Sequence, residues 1–236
     1  MTDIHSHLIY GVDDGSRSIE ESIEILQKLK QIGFDNVIIT PHFIENSEYS
    51  STNSEKEEKL LDIKGSLKSN NVDINIHIGN EIFINENIVE LIDKGSIETL
   101  ADTNYLLIEL PFHNKILNLD DILYEIKHKG YIPIIAHPER YSYFQENYDL
   151  VDELREEGIL FQSNYASIIG YYGKEAEKLL KYMLKHKYVD YLGTDIHRID
   201  KICVIDNFKN IEKLFNKIAG KDYYQEIKDN CDFLVK

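Results

Sequence analysis

Residues 3–15 read DIHSHLIYGVDDG and place ligand-type side chains at every second position of a strand-like stretch. Successive side chains of a β-strand point to opposite faces, so Asp3, His5 and His7 are expected to share one face. Two imidazoles side by side at the end of a strand are typical of a metal site. We therefore expect this segment to form one wall of a metal centre, around which the rest of the chain is arranged.

Later apolar, β-branched runs each carry a residue that can bind a metal at or near their carboxyl ends. These residues are His42 after VIITP, Glu81 after INIHIGN, Glu109 in YLLIEL, His137 in IPIIAH, and Asp195 and His197 after YVDYLGT. The carboxyl ends of parallel strands meet at one face of a barrel, where barrel enzymes build their active sites. The positions of these residues therefore predict a single site that is formed by the carboxyl ends of several strands.

Helix-like segments separate these runs. In residues 18–33, apolar residues recur at helical spacing between a Ser18 start and a Gly33 stop. Seven such β-then-α units over residues 1–236 predict an α/β fold in a single domain, with the strands closed into a barrel. An open doubly wound sheet is the alternative, and it would place ligands at one switch point.

Composition excludes several classes of protein. The formal net charge of -16 disfavours a nucleic-acid or anionic-membrane surface. Two cysteines, Cys203 and Cys231, are too few for a disulfide framework, which favours the reducing cytoplasm. No apolar run has the length of a signal peptide core or a membrane span, so we expect a cytoplasmic chain without membrane insertion.

Metal chemistry is the one catalytic route that the motifs support. A cysteine-dependent phosphatase needs an arginine after five intervening residues, whereas Cys203 is followed there by Lys209, and the sequence after Cys231 runs only to Lys236, one residue short of that position. The chain also lacks G-x-S-x-G, Walker A and H-E-x-x-H motifs. Imidazole and carboxylate ligands without thiolates suit manganese, iron or zinc.

Together, these motifs resemble the PHP (polymerase and histidinol phosphatase) superfamily. They are DxHxH at 3–7, VDDG at 12–15, TPH at 40–42, GNE at 79–81, IEL at 108–110, AHPERY at 136–141 and TDIH at 194–197. VDDG and HPERY look most like the metal-dependent protein-tyrosine phosphatases of bacterial capsule and exopolysaccharide systems. The resemblance implies the PHP fold, a distorted (β/α)7 TIM-like barrel.

The resemblance also implies three divalent metals per chain, with manganese expected first and iron or zinc as alternatives. The first metal would be held by His5, His7, Glu81 and Asp195. The second would share Glu81 and add Glu109 and His137. The third would be held by Asp14, His42 and His197. Asp13 competes with Asp14 for this last role, and Asp14 is preferred on motif register.

The expected activity is hydrolysis of phosphotyrosine by a metal-activated water, with Arg140, Asp195 and His197 as catalytic residues. Arg140 would grip phosphoryl oxygens, and Arg198 and Asn164 are further candidate substrate contacts. Whether Arg198 or Lys201 contacts the phosphate stays open at this point. By resemblance, the partner would be the tail of a bacterial tyrosine kinase that controls polysaccharide synthesis. Two alternatives stay open: a small-molecule phosphomonoesterase such as histidinol-phosphate phosphatase, and a metal-stabilised regulatory module without turnover.

Overall fold

Nine short strands line the interior of the computed structural model, which describes residues 1–236. The strands are β1 Thr2–Asp3, β2 Asn36–Ile39, β3 His42–Phe43, β4 Asn75–Ile78, β5 Glu81–Phe83, β6 Tyr105–Glu109, β7 Ile132–Ala136, β8 Leu160–Asn164 and β9 Tyr191–Gly193. The helices are α1 Ile19–Gln31, α2 Asn53–Ser69, α3 Ile88–Asp93, α4 Leu119–His128, α5 Ser142–Glu146, α6 Asp149–Glu156, α7 Lys174–His186, α8 Cys203–Asp206, α9 Phe208–Ile218 and α10 Lys221–Phe233. Short 3₁₀ turns cover Leu100–Asp102, Pro138–Arg140, Tyr165–Ile169 and Ile199–Lys201.

All strand pairs are parallel, in the orders β1-β2-β4 and β3-β5-β6-β7-β8-β9. We count β2 and β3 as one wall of the barrel, because they form a single strand path interrupted at residues 40–41. Strands β4 and β5 form another wall, interrupted at residues 79–80, so the nine strands make seven walls. A parallel bridge between Ser6 and Ile196 joins the first wall to the last. The predicted distorted (β/α)7 barrel is confirmed, and the open sheet is not formed.

Helix α1 shows how closely the local sequence sets an element. Ser18 is the N-cap, and its hydroxyl accepts a hydrogen bond from the Glu21 amide at 3.3 Å. Gly33, at φ +105°, ends the helix in a conformation that only glycine adopts without strain. Between these ends, Ile23, Leu26 and Leu29 are buried against the barrel.

The apolar core lies mainly between the strands and the surrounding helices, where 54 buried residues form one cluster. A smaller cluster of 9, including Ile4, Ile38 and Leu107, fills the barrel below the site. None of the helices combines the length and apolar character that a membrane span requires.

Two ligand-type residues at strand ends have left-handed backbones. His137, directly after β7, has φ +32°, and Asp195, after β9, has φ +54°. Such conformations cost free energy in residues other than glycine and persist only where the surroundings enforce them. Each turns its side chain into the mouth of the barrel.

Candidate metal centre

His5 and His7 follow β1 and bring their Nε2 atoms within 3.2 Å of each other, as expected from strand alternation. Both side chains are fully buried. Gly193 lies so close to His5 that a Cβ on residue 193 would be 2.5 Å from Cβ of His5. The glycine is therefore what allows β9 to approach the first wall.

Glu81 is the centre of the cluster. Its carboxylate lies 3.4 Å from Nε2 of both His5 and His7, 2.9 Å from Nδ1 of His42 and 2.7 Å from Nε2 of His137. It is 1% exposed. One carboxylate within reach of four imidazoles has the geometry of a bridging ligand.

Around Glu81 the ligand atoms form three overlapping groups, each within 4.8 Å. One group joins His5, His7 and Glu81, and another joins His42, Glu81 and Glu109. The third, nearest to solvent, joins Asp14 to His7, His42 and His197. Nε2 of His137 also lies 3.8 Å from Glu109.

The carboxylate of Asp195 has two distinct sides. Oδ1 faces the imidazoles, 3.5 Å from nitrogens of His7 and His197. Oδ2 accepts hydrogen bonds from Nη1 of Arg140 and Nδ2 of Asn164, each at 2.7 Å, and from the Tyr172 hydroxyl at 3.3 Å. The donors on Oδ2 leave Oδ1 as the oxygen available to a cation.

A second layer of hydrogen bonds orients the histidines. The Nδ1 of His7 contacts the Asp13 carboxylate at 2.8 Å, and that of His5 contacts the side-chain amide oxygen Oε1 of Gln162 at 2.9 Å. Nδ1 of His197 lies 3.0 Å from the Asp195 carbonyl oxygen. These partners accept hydrogen bonds only, so each Nδ1 carries the proton and each Nε2 presents a lone pair to the centre.

The electrostatics of the cluster point to bound cations. Burial, and then the charge on Glu81, raises the pKa of Glu109 to about 8. Burial, and then Arg140, lowers the pKa of His137 to about 4, so its imidazole is neutral at pH 7. Nδ1 of His42 is buried without a hydrogen-bond partner of acceptable geometry. Divalent cations would stabilise the crowded carboxylates and use the unpartnered nitrogen, so these residues fit a metal centre.

A cavity of about 200 Å³ opens beside the cluster. Its walls combine ligand-type, cationic and apolar side chains: Asp14, Arg140, Ala166, Tyr171, Tyr172, Thr194, Asp195, His197, Lys201, Cys203 and Val204. The guanidinium of Arg140 makes a single hydrogen bond to protein, through Nη1 to Asp195. Its other N–H groups are free to bind a ligand in the cavity.

Comparison with known proteins identifies the family. The sequence profile described as capsular polysaccharide synthesis, CpsB/CapC, matches residues 1–235. This chain belongs to the CpsB/CapC family. CapC of Staphylococcus aureus is 33% identical over 228 residues, which cover 97% of this chain and 87% of CapC.

Solved structures agree with the CpsB/CapC assignment. The fold matches, with a TM-score of 0.93 and 26% identity, a chain from the crystal structures of YwqE from Bacillus subtilis and CpsB from Streptococcus pneumoniae, described as unique metal-dependent tyrosine phosphatases. The match covers 100% of this chain and 94% of that one. Histidinol phosphate phosphatase from Lactococcus lactis shares the fold alone, with a TM-score of 0.54 and 15% identity over 91% of this chain and 92% of that one. The predicted membership of a capsule-system phosphatase family is confirmed, and the histidinol phosphate phosphatase shows that this fold is shared more widely.

In this CpsB/CapC chain, the nine predicted metal-ligating side chains all lie in one cluster. Asp13 and Asp14 have different surroundings. The Asp13 carboxylate is buried against His7 and the backbone amides of Gly15 and His42, whereas Asp14 points its Oδ1 to within 3.6 Å of Nε2 of His42 and 3.5 Å of Nε2 of His197.

Two predicted substrate contacts, Asn164 and Arg198, are hydrogen-bonded to other parts of the protein. Asn164 is fully buried, and both ends of its amide are occupied, by Gln162 and by Asp195. Arg198 donates from Nε to the Asp14 carbonyl oxygen at 2.8 Å and does not line the cavity. Lys201, three residues later, does line it. Asn164 therefore holds a ligand-type carboxylate by a hydrogen bond, and of the two basic side chains considered, Lys201 rather than Arg198 lines the cavity.

The sequence did not indicate a role for two side chains that lie at the site, Gln162 and Tyr172. Gln162 shares strand parity with Asn164, a signal that could have placed it on the inner face of β8. Tyr172 lines the cavity beside Tyr171, and Gly170 and Gly173 flank the pair at φ +75° and +101°.

Proposed function

We propose that this protein is a metal-dependent protein-tyrosine phosphatase of a capsular or exopolysaccharide system. The observation that carries the proposal is the cavity beside the cluster of histidines and carboxylates. It combines free donors of Arg140 with the aromatic rings of Tyr171 and Tyr172. An arginine fork suits a phosphate dianion, and the rings suit an aromatic ester. The described activity of YwqE and CpsB agrees with this assignment.

The metals are proposed to be three divalent cations, with manganese first and iron or zinc as alternatives. His5, His7, Glu81 and Asp195 would hold one of them. Glu81, Glu109 and His137 would hold the second, and Asp14, His42 and His197 the third. When bound, such cations supply water activation and Lewis acidity.

The chain's own residues position the substrate. Arg140 is anchored through Nη1 to Asp195 and keeps its remaining donors for phosphoryl oxygens. Lys201 adds a second positive charge at the cavity wall. Together they attract a dianion into a protein whose net charge is -16. A tyrosine leaving group has a pKa of about 10, so it departs without a strong general acid.

The finer biological assignments rest on the family. We propose that the substrate is a phosphorylated tyrosine kinase tail and that the protein acts in the cytoplasm. The acidic surface is unsuited to nucleic acid, because two polyanions repel each other. A flexible, tyrosine-phosphorylated tail could reach a cavity at the mouth of the barrel without large-scale docking.

The test is the release of phosphate from a tyrosine-phosphorylated peptide by the manganese-loaded protein. Histidinol phosphate and a phosphoserine peptide should be compared at equal concentration. We expect turnover of the phosphotyrosyl peptide that stops with chelator, falls by at least about 100-fold in His42→Ala and His137→Ala, and falls by about 10- to 100-fold in Arg140→Ala.

His128→Ala is the matched control, because His128 is an exposed histidine on α4. It should retain the parent activity. Clear preference for histidinol phosphate would replace the proposal with a small-molecule phosphomonoesterase. A folded, metal-loaded protein that cleaves none of the three substrates would support a regulatory module.

A further inference from the structure

The guanidinium of Arg140 lies against two aromatic rings. Its Cζ is 4.8 Å from the centre of the Phe112 ring and 4.5 Å from the centre of the Tyr172 ring. We call these two rings the aromatic cradle. A guanidinium at such distances from ring faces gains cation–π and stacking energy, which grows as water is excluded.

Arg140 needs this support because its hydrogen bonding to protein is sparse. One bond, from Nη1 to Asp195, fixes a single corner of the planar group. Rotation about that corner would move the free donors out of the cavity. Contact with ring faces opposes the rotation, because the plane of the guanidinium must stay against the rings.

Tyr172 has a second contact that Phe112 does not have. Its hydroxyl lies 3.3 Å from Oδ2 of Asp195, the same oxygen that accepts from Arg140. The phenol is therefore a neutral donor, and burial, followed by the charge on Asp195, raises its pKa well above the usual value. The ring of Tyr172 thus contacts Arg140 and its hydroxyl contacts Asp195, and Arg140 and Asp195 are themselves hydrogen-bonded to each other.

We propose that Tyr172 is a positioning residue for phosphate binding: its ring holds the guanidinium of Arg140 in the orientation that directs the free N–H groups into the cavity. This inference rests on the proposed function in that Arg140 binds the phosphoryl group. Phe112 contributes the other surface of the cradle, but it also stacks on the ring of His137 at 5.7 Å. Tyr172 is therefore the better site for a test.

The experiment measures the equilibrium binding of inorganic phosphate to the manganese-loaded protein by calorimetry. Phosphate has no aromatic ring, so direct stacking on a substrate cannot contribute. Binding also needs no turnover, so an inactive parent would defeat the proposed function and leave this measurement valid. The variants are Tyr172→Phe, Tyr172→Leu and Arg140→Ala, with the double variant Arg140→Ala/Tyr172→Leu.

Tyr172→Phe keeps the ring and should bind phosphate within about threefold of the parent. Tyr172→Leu removes the ring and should weaken phosphate binding about fivefold to tenfold. In the Arg140→Ala background the same leucine substitution should change the affinity by less than about twofold, because the group that the ring positions is absent. Tyr124→Leu, at an exposed tyrosine of α4, controls for the loss of a phenol.

Equal weakening by Tyr172→Leu in both backgrounds would overturn the proposal and show that Tyr172 acts independently of Arg140. Unchanged affinity in Tyr172→Leu would overturn it as well. Manganese content and thermal midpoint are measured for each variant. If Tyr172→Leu fails to fold, the Tyr172→Met variant takes its place in the cycle, since it also removes the ring while filling the space.

Discussion

Asp13 holds Nδ1 of His7 at 2.8 Å while Nε2 of the same ring lies 3.4 Å from Glu81. Burial opposes the charge on Asp13, but interaction with the neighbouring His7 ring, including its hydrogen bond, lowers the pKa of Asp13 to about 2. An ionised carboxylate at Nδ1 keeps the proton there and leaves Nε2 free for a cation. Asp13 thus influences the ligand cluster indirectly, by setting which nitrogen of the His7 ring carries the proton.

Asp13→Asn should weaken manganese binding about 10- to 100-fold, because an amide is a poorer acceptor and can donate to Nδ1, which reverses the tautomer of His7. Competition with a metal-binding dye measures the affinity. Asp62→Asn, at a surface aspartate hydrogen-bonded to Tyr10, is the matched control. An Asp13→Asn variant with the parent's affinity would show that the tautomer of His7 is set by other contacts.

Lys201→Ala should raise the KM for a phosphotyrosyl peptide about threefold to tenfold, with a smaller effect at high salt, because an exposed charge is screened. Arg198→Ala removes the same charge from the same loop. Its side chain is bound to the Asp14 carbonyl oxygen outside the cavity, so its KM should stay within about twofold of the parent value. Steady-state kinetics at two ionic strengths decides, and the opposite ranking would return the substrate contact to Arg198.

Gly193→Ala should destabilise the protein by about 1–3 kcal/mol, because the new Cβ would overlap His5. Gly65→Ala provides the contrast. It lies inside α2 with no atom within 4 Å of the added Cβ, and it should stabilise the protein by about 0.5–1 kcal/mol through helix propensity. Urea unfolding in the presence of chelator measures both. Equal stability of the two variants would contradict the close approach of β9 to the first wall.

Lys56 is a buried amine whose Nζ donates to Oδ1 of Asn80 at 2.7 Å. Burial lowers its pKa to about 8 from a model-compound value of 10.5. Below pH 8 the amine is charged in both states. Between about pH 8 and pH 10.5, Lys56 of the unfolded chain binds a proton that Lys56 of the native protein does not. The parent's free energy of unfolding therefore rises with pH across this range.

Lys56→Met removes the buried amine. Its stability relative to the parent should therefore be greatest near pH 7, where the parent must bury a charged amine. That advantage should shrink by up to about 3 kcal/mol towards pH 10, from about 1.4 kcal/mol for each unit of pKa shift. Urea unfolding at pH 7, 8.5 and 10 with chelator present gives the difference. A difference independent of pH would mean that Lys56 titrates as a solvated lysine.

The strand-and-helix alternation was predictable because it depends on local patterns. The Ser18 start and Gly33 end of α1 bracket the observed Ile19–Gln31. The kink at residues 79–80, which divides one predicted strand into β4 and β5, was not predicted. It depends on Asn80, whose amide bonds to the Pro41 carbonyl oxygen and to Lys56, both distant in sequence.

The sequence by itself determined the alternating elements and the identity of the ligand-type residues, because periodicity and strand parity are properties of neighbouring residues. The tertiary structure alone decided which side chain does what at the centre. Asp13 orients a histidine while Asp14 faces the cavity, and Lys201 replaces Arg198 at the cavity wall. Tyr172, 32 residues further along the chain, places its ring centre 4.5 Å from Cζ of Arg140. Such roles depend on side-chain directions in loops, which are set by contacts between distant parts of the chain.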